Sequence, residues 1–189
     1  FVPPARPGDD RIVILAHGVT GNKDRPVVAT TADALNRAGI ATIRISFSGN
    51  GESGGRFQDC TVTKEVTDLG AVIDALGDRK VAYAGHSMGG AVGVLRASSD
   101  PRIRVLISIA GMVHTDDFAR REFGEETPDA GCMWEEESCP LSSTFMNDMR
   151  SVKSVLEKGP AVTVPWLLVH GTADDVVPVS DSREIAPLA

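Results

Sequence analysis

The chain has 189 residues, of which 42% are hydrophobic and 24% charged, and its 26 acidic residues outnumber its 19 basic ones for a formal net charge of −7. That length suits one core rather than two, and the composition excludes intrinsic disorder, a collagen-like repeat and a disulfide scaffold. Between residues 112 and 140 nine acids meet only Arg120 and Arg121, so one segment carries the whole imbalance: it is either a solvated acidic face or a surface that repels nucleic acid, anionic lipid and polyanionic substrates.

Five short apolar runs rich in β-branched residues follow one another along the chain, at 12–16, 40–47, 81–84, 105–110 and 164–169. Unbroken runs of this kind, without strict alternation, mark strands covered on both faces, as in a parallel sheet. A helix is predicted over 26–37 between the first two, with Asp24 as its cap, Pro26 in its first turn and Gly39 as its stop. In the next gap Val62, Val66, Leu69, Ile73 and Leu76 recur at three- and four-residue spacing before Gly77, which puts one apolar face on a second helix. Residues 88–97, rich in Gly and Ala, supply a third helix able to approach a sheet closely. The alternation predicts an α/β fold with a doubly wound, mostly parallel sheet.

Residues 112–163 break this rhythm where a crossover needs about a dozen residues. Phe118, Phe123, Met133, Trp134, Phe145, Met146 and Met149 are too much apolar surface for a solvated loop. The segment is therefore expected to fold back as a cap-like insertion within a single domain over 1–189. The longest nearly apolar stretch, 105–113, falls far short of the roughly 18 residues of a membrane span. Three cysteines, Cys60, Cys132 and Cys139, have neither zinc spacing nor an even count. They read as reduced thiols of a cytoplasmic protein. A Cys132–Cys139 bridge is the alternative in an exported one, and a chain that starts at Phe1 leaves export open.

Chemistry is signalled by Gly85-His86-Ser87-Met88-Gly89, which follows a predicted strand and opens a predicted helix. In that context G-x-S-x-G is a nucleophile elbow: the tight turn lifts the Ser87 hydroxyl above the sheet edge, and the flanking glycines avoid collisions of a Cβ with neighbouring backbone. The helix behind it aims amide hydrogens at developing negative charge. The glycine-rich loops lack the lysine of a phosphate-binding loop, and no His/Asp cluster has ligand spacing.

With these residues the chain resembles the α/β-hydrolase superfamily, in particular small serine esterases and lipases of the cinnamoyl esterase and monoacylglycerol lipase type. His17-Gly18-Val19-Thr20-Gly21 is similar to the family's oxyanion loop. Gly49-Asn50-Gly51-Glu52-Ser53 resembles its G-x-G-x-S loop, although the family often has His at Asn50, Asp at Ser46 and Arg at Ser48. His170-Gly171-Thr172-Ala173-Asp174 with Val177-Pro178 matches H-G-x-x-D-x-x-V-P.

The resemblance implies that Ser87 attacks an ester carbonyl, that the backbone N–H groups of Val19 and Met88 hold the oxyanion, and that Asp174 is the triad acid. Asp175 is its near neighbour, and Asp116 or Asp117 is a second place from which this fold supplies an acid. The chemistry needs no metal or organic cofactor, and the expected partner is a small ester with an apolar acyl or aryl group. The family places its catalytic histidine on a loop after a further strand, beyond the fifteen residues that follow Asp174, and a hairpin before residues 1–11; by that comparison the chain is expected to be a piece of a longer enzyme. His17, His86 and His170 read as ring-shaped supports of their turns, and His114, at the carboxyl edge of the sheet, is the remaining candidate base. Alternatives are a serine aminopeptidase or amidase, and a noncatalytic binding protein that keeps the fold.

Overall fold

The computed structural model describes residues 1–3 and 8–189. The apolar runs become β1 Arg11–Ala16, β2 Ala41–Ile45, β3 Lys80–His86, β4 Ile103–Ile109 and β5 Trp166–Val169, joined in one sheet of order β2-β1-β3-β4-β5. All four strand pairings are parallel, and an isolated antiparallel bridge sets Val2 beside Thr42. The chain moves outward from β1 to β2, then returns across β1 to β3 and continues the other way. This reversal opens a crevice at the carboxyl ends of β1 and β3, the place where open α/β sheets bind ligands.

Helices α1 Pro26–Arg37, α2 Val62–Leu76 and α3 Met88–Ala97 occupy the expected spans. Gly39 and Gly77, with φ of 81° and 60°, end α1 and α2 in the left-handed region that favours glycine. The start of α1 differs from the expectation. Its cap is Arg25, which makes no side-chain capping bond, while Asp24 pairs with Lys23 at 2.8 Å and Arg44 at 3.2 Å. Two cations within reach hold that carboxylate more strongly than neutral amides would.

One sheet face packs Ile12, Ile14, Tyr83 and Leu106 against Leu69 and Ile73 of α2 and Ala91 and Val92 of α3. The other sets Val13, Leu15 and Ala84 under Val28 and Ala32 of α1. Strand β5 corrects the expectation that every run is covered on both sides: Leu167 is 55% and Val169 48% exposed. The reason is position, because β5 is the sheet edge and α1, which touches β1 and β2, does not extend over it.

Between β4 and β5 run α4 Thr115–Phe123, a 3-10 turn Met133–Glu135, α5 Ser143–Val152 and a 3-10 turn Leu156–Ala161. Phe118, Phe123, Met133, Phe145 and Met149 are buried in the main core. Phe123 takes edge-on contacts from Phe118, Trp134 and Phe145 at 6.0, 4.9 and 6.1 Å. Helix α5 is capped by Ser142 and reaches α2, where Asp148 accepts the Thr63 N–H at 3.1 Å. The three cysteines are free thiols. Cys132 lies across a bridge from Pro140, and Met133 bonds to the Cys139 carbonyl at 2.8 Å. After β5 come α6 Val179–Ile185 and a 3-10 turn Ala186–Leu188.

The core contains one orphan charge site. Glu65 on α2 is 1% exposed, and its Oε2 has no hydrogen-bond partner. Burial, reinforced by Asp68, pushes its carboxyl well above the usual range. A raised carboxyl pKa means that the folded chain holds a proton the unfolded chain releases, so its stability falls as pH rises above about 4.5. Glu65→Met should therefore raise the unfolding free energy at pH 8 by about 1–3 kcal/mol, with a smaller gain at pH 5. Denaturant melts at the two pH values check this, and an equal effect at both would contradict it.

Candidate active site

Strand β3 ends at His86 and α3 begins at Met88, so Ser87 alone makes the turn, at φ 53° and ψ −120°. A residue with a Cβ rarely holds such a conformation, which costs about 1–3 kcal/mol. Three backbone bonds impose it: the Ser87 N–H donates to Ile109 O at 3.0 Å, and Ser87 O accepts from Gly90 N–H at 2.8 Å and Met112 N–H at 3.0 Å. The glycines around it are required by contact. A Cβ on Gly85 would lie 2.1 Å from Gly89 O, one on Gly89 would lie 2.5 Å from His17 O, and one on Gly18 would lie 2.7 Å from the Ser87 Cβ. The Tyr83 hydroxyl donates to Gly89 O at 2.8 Å and fastens the same crossing from below.

The loop after β1 forms the facing wall. The Phe47 N–H can only donate, so His17 Nε2 accepts it at 3.1 Å, and Nδ1 carries the proton given to Gly18 O at 2.8 Å. Burial also pushes this imidazole down, which keeps it neutral. Gly21 N–H bonds to Gly18 O at 3.0 Å, Thr20 sits at φ 55°, and Arg25 donates to Thr20 O at 3.0 Å. Val19 follows the glycine that abuts Ser87, and Met88 is the first residue of α3. Neither amide hydrogen is donated to another group among the described residues. Both amides keep their donors unspent, and the α3 dipole adds positive potential at its first turn.

Asp174 lies in the loop after β5. Its Oδ1 accepts from Val176 N–H at 3.0 Å and Val177 N–H at 2.9 Å, and its Oδ2 is 3.6 Å from His170 Nε2. His170 is itself bonded to Ser182 Oγ at 2.7 Å and Val177 O at 2.8 Å. Asp175 is exposed. Asp116 and Asp117 open α4 and pair with Arg120. His114 Nε2 bonds Glu184 Oε2 at 2.9 Å. His86 borders a narrow gap with Leu15, Val28 and Ile109 on the α1 face. Burial pushes its imidazole down, against the pull of the Asp174 carboxylate. The structure thus sets Gly18 against Ser87, and among the described residues no histidine is bonded to Ser87 Oγ. Sequence reasoning did not single out Arg25 or Tyr83. Neither belongs to a pattern, and their roles arise only from where the chain places Thr20 O and Gly89 O.

A family model described as "Serine aminopeptidase, S33" matches residues 8–124. The palmitoyl-protein thioesterase ABHD10, mitochondrial, of Bos taurus is 26% identical over 190 residues, covering 92% of this chain and 60% of its own. The chain thus spans less than two thirds of the length of that relative. Among solved structures, Est1E from Butyrivibrio proteoclasticus with bound ferulic acid superposes with a TM-score of 0.85 at 26% identity, over 100% of this chain and 80% of Est1E. Mouse alpha/beta hydrolase domain-containing protein 10 gives 0.77 at 23% identity, over 98% of this chain and 77% of its own, and shows the shared fold.

The elbow contacts make a stability prediction. Gly85→Ala should cost about 3 kcal/mol or more, because the added methyl meets backbone atoms that belong to α3. Gly54→Ala, where nothing lies within 4 Å, should change stability by less than about 0.5 kcal/mol. Equal losses in thermal melts of the two variants would contradict the crossing described here.

Proposed function

The chain belongs to the serine aminopeptidase, S33 family of α/β-hydrolases, and on that premise we propose that it cleaves carboxylic esters through an acyl-enzyme at Ser87. The observation that supports this reading is the positive-φ turn at Ser87, with Gly18 packed against it and with the amide hydrogens of Val19 and Met88, the chain neighbours of these two residues, donated to no other group among the described residues. The Ser87 oxygen attacks the carbonyl carbon as its hydroxyl proton passes to a base from solvent, and the carbonyl electron pair moves onto oxygen, where the two N–H groups receive it. Each such donor contributes about 3 kcal/mol in comparable sites. Collapse of the adduct expels a phenolate or thiolate and leaves acyl-serine, which water then hydrolyses to release the acid and restore the Ser87 hydroxyl. Asp174 keeps Oδ2 outside its own turn and is the group that would orient and stabilise a protonated base.

Esters are favoured over amides for a chemical reason. Phenolates and thiolates depart without a proton, whereas an amine must be protonated as it leaves. Here His17, His114 and His170 are held in other bonds and His86 lies on the α1 face. A thioesterase for palmitoyl-protein and an esterase seen with ferulic acid among the relatives support an apolar acyl or aryl substituent. The engaged histidines also favour a second reading, a noncatalytic binding protein, and one assay separates the two.

Turnover of p-nitrophenyl butyrate by the chain should depend on Ser87 and fall in Ser87→Ala to the rate that oxyanion and binding terms alone support. Added imidazole, as a diffusible base, should accelerate the wild type beyond its effect on Ser87→Ala. Equal rates for both proteins, with and without imidazole, would overturn the ester-hydrolase reading in favour of the binding protein.

A further inference from the structure

The bonds that hold Asp174 lead out of its own loop and into the segment between β4 and β5. Val176 and Val177 share one peptide unit. Its N–H is donated to Asp174 Oδ1 at 2.9 Å, and its C=O accepts from Arg121 Nη2 at 2.5 Å. Arg121 is anchored in turn, with its guanidinium 5.7 Å above the buried ring of Phe118 and its Nε bonded to Glu122 at 3.1 Å.

Packing holds this peptide from one side only: Val177 is buried in the main core with Phe118 of α4, while Val176 is exposed and a cavity of about 210 Å³ lined by His114, Phe118, Arg121, Val177 and Pro178 lies along the junction. The hydrogen bond to Arg121 adds a direct polar link between α4 and the acid loop. A cationic donor on the carbonyl of a peptide polarises that peptide and strengthens the bond its N–H gives at the other end. The next carbonyl, Val177 O, is held by His170 Nε2 at 2.8 Å. Asp174 Oδ1 is thus fixed by a peptide clamped on both sides, and the carboxylate has one orientation in which Oδ2 is left for the site.

We infer that Arg121 of α4 is a positioning residue for Asp174, acting through the Val176–Val177 peptide. The inference rests on the ester-hydrolase reading, in which Asp174 is the acid. It makes the segment between β4 and β5 part of the catalytic geometry, and it extends further along that segment. Glu122, next to Arg121, accepts the Trp134 indole N–H at 3.0 Å, and Trp134 stacks edge-on with Phe123. Whatever fills or shifts that aromatic group is felt at the acid through one side chain.

Two variants test it. Arg121→Met keeps an apolar stem over Phe118 and removes the donor, and Arg121→Lys keeps a charged donor. With p-nitrophenyl butyrate, Arg121→Met should lower kcat about tenfold with KM within about twofold, and Arg121→Lys should recover most of the loss. In amide-exchange NMR of the same proteins, the Val177 N–H should exchange about tenfold faster in Arg121→Met. Unchanged kcat and unchanged Val177 exchange would overturn the inference, as would a loss confined to KM. If the wild type shows no Ser87-dependent turnover while Arg121→Met still frees the Val177 amide, the ester-hydrolase reading falls and the tether stands.

Discussion

Everything at the candidate site depends on a crossing of backbones too close for any side chain. The end of β3, the first turn of α3 and the loop after β1 meet where Gly85, Gly89 and Gly18 each lack a Cβ that would lie 2.1 to 2.7 Å from a neighbouring atom. That proximity packs the loop that carries Val19 against the turn that opens into Met88. It also forces Ser87 to positive φ, with Ile109, Gly90 and Met112 supplying the bonds that hold it there. The strain is local and the compensation is distributed, which is how folded proteins sustain conformations that single residues avoid.

The sheet order supplies the location of that crossing. Because the chain reverses direction around β1, the loops after β1 and β3 open at a common crevice instead of being separated by a helix. The neutral tautomer of His17 then serves as a brace. Its two nitrogens tie Gly18 O to the Phe47 amide, linking the loop after β1 to the one after β2. A charged imidazole would lose the acceptor that Phe47 needs, so the low proton affinity that burial confers is a condition of the geometry.

Much of this was legible in the residues. The spans of α1, α2 and α3 follow from Pro26, the three- and four-residue spacing from Val62 to Leu76, and the elbow at Ser87, because these signals are local. The cap of α1 was not legible: Asp24 has the right side chain at the right place, yet Lys23 and Arg44 claim it, and Arg44 comes from another strand. The exposed side of β5 was likewise hidden, since an apolar run looks the same whether or not a helix covers it. Arg25, Tyr83 and Arg121 carry no motif, and their contacts with Thr20, Gly89 and Val176 exist only in three dimensions.

The most direct test of the central claim is a crystal structure of the chain after reaction with a fluorophosphonate. The account predicts a covalent bond to Ser87 Oγ with the phosphoryl oxygen about 2.7–3.1 Å from both the Val19 and Met88 nitrogens. An adduct on another residue, or one on Ser87 whose phosphoryl oxygen turns away from both amides, would contradict it.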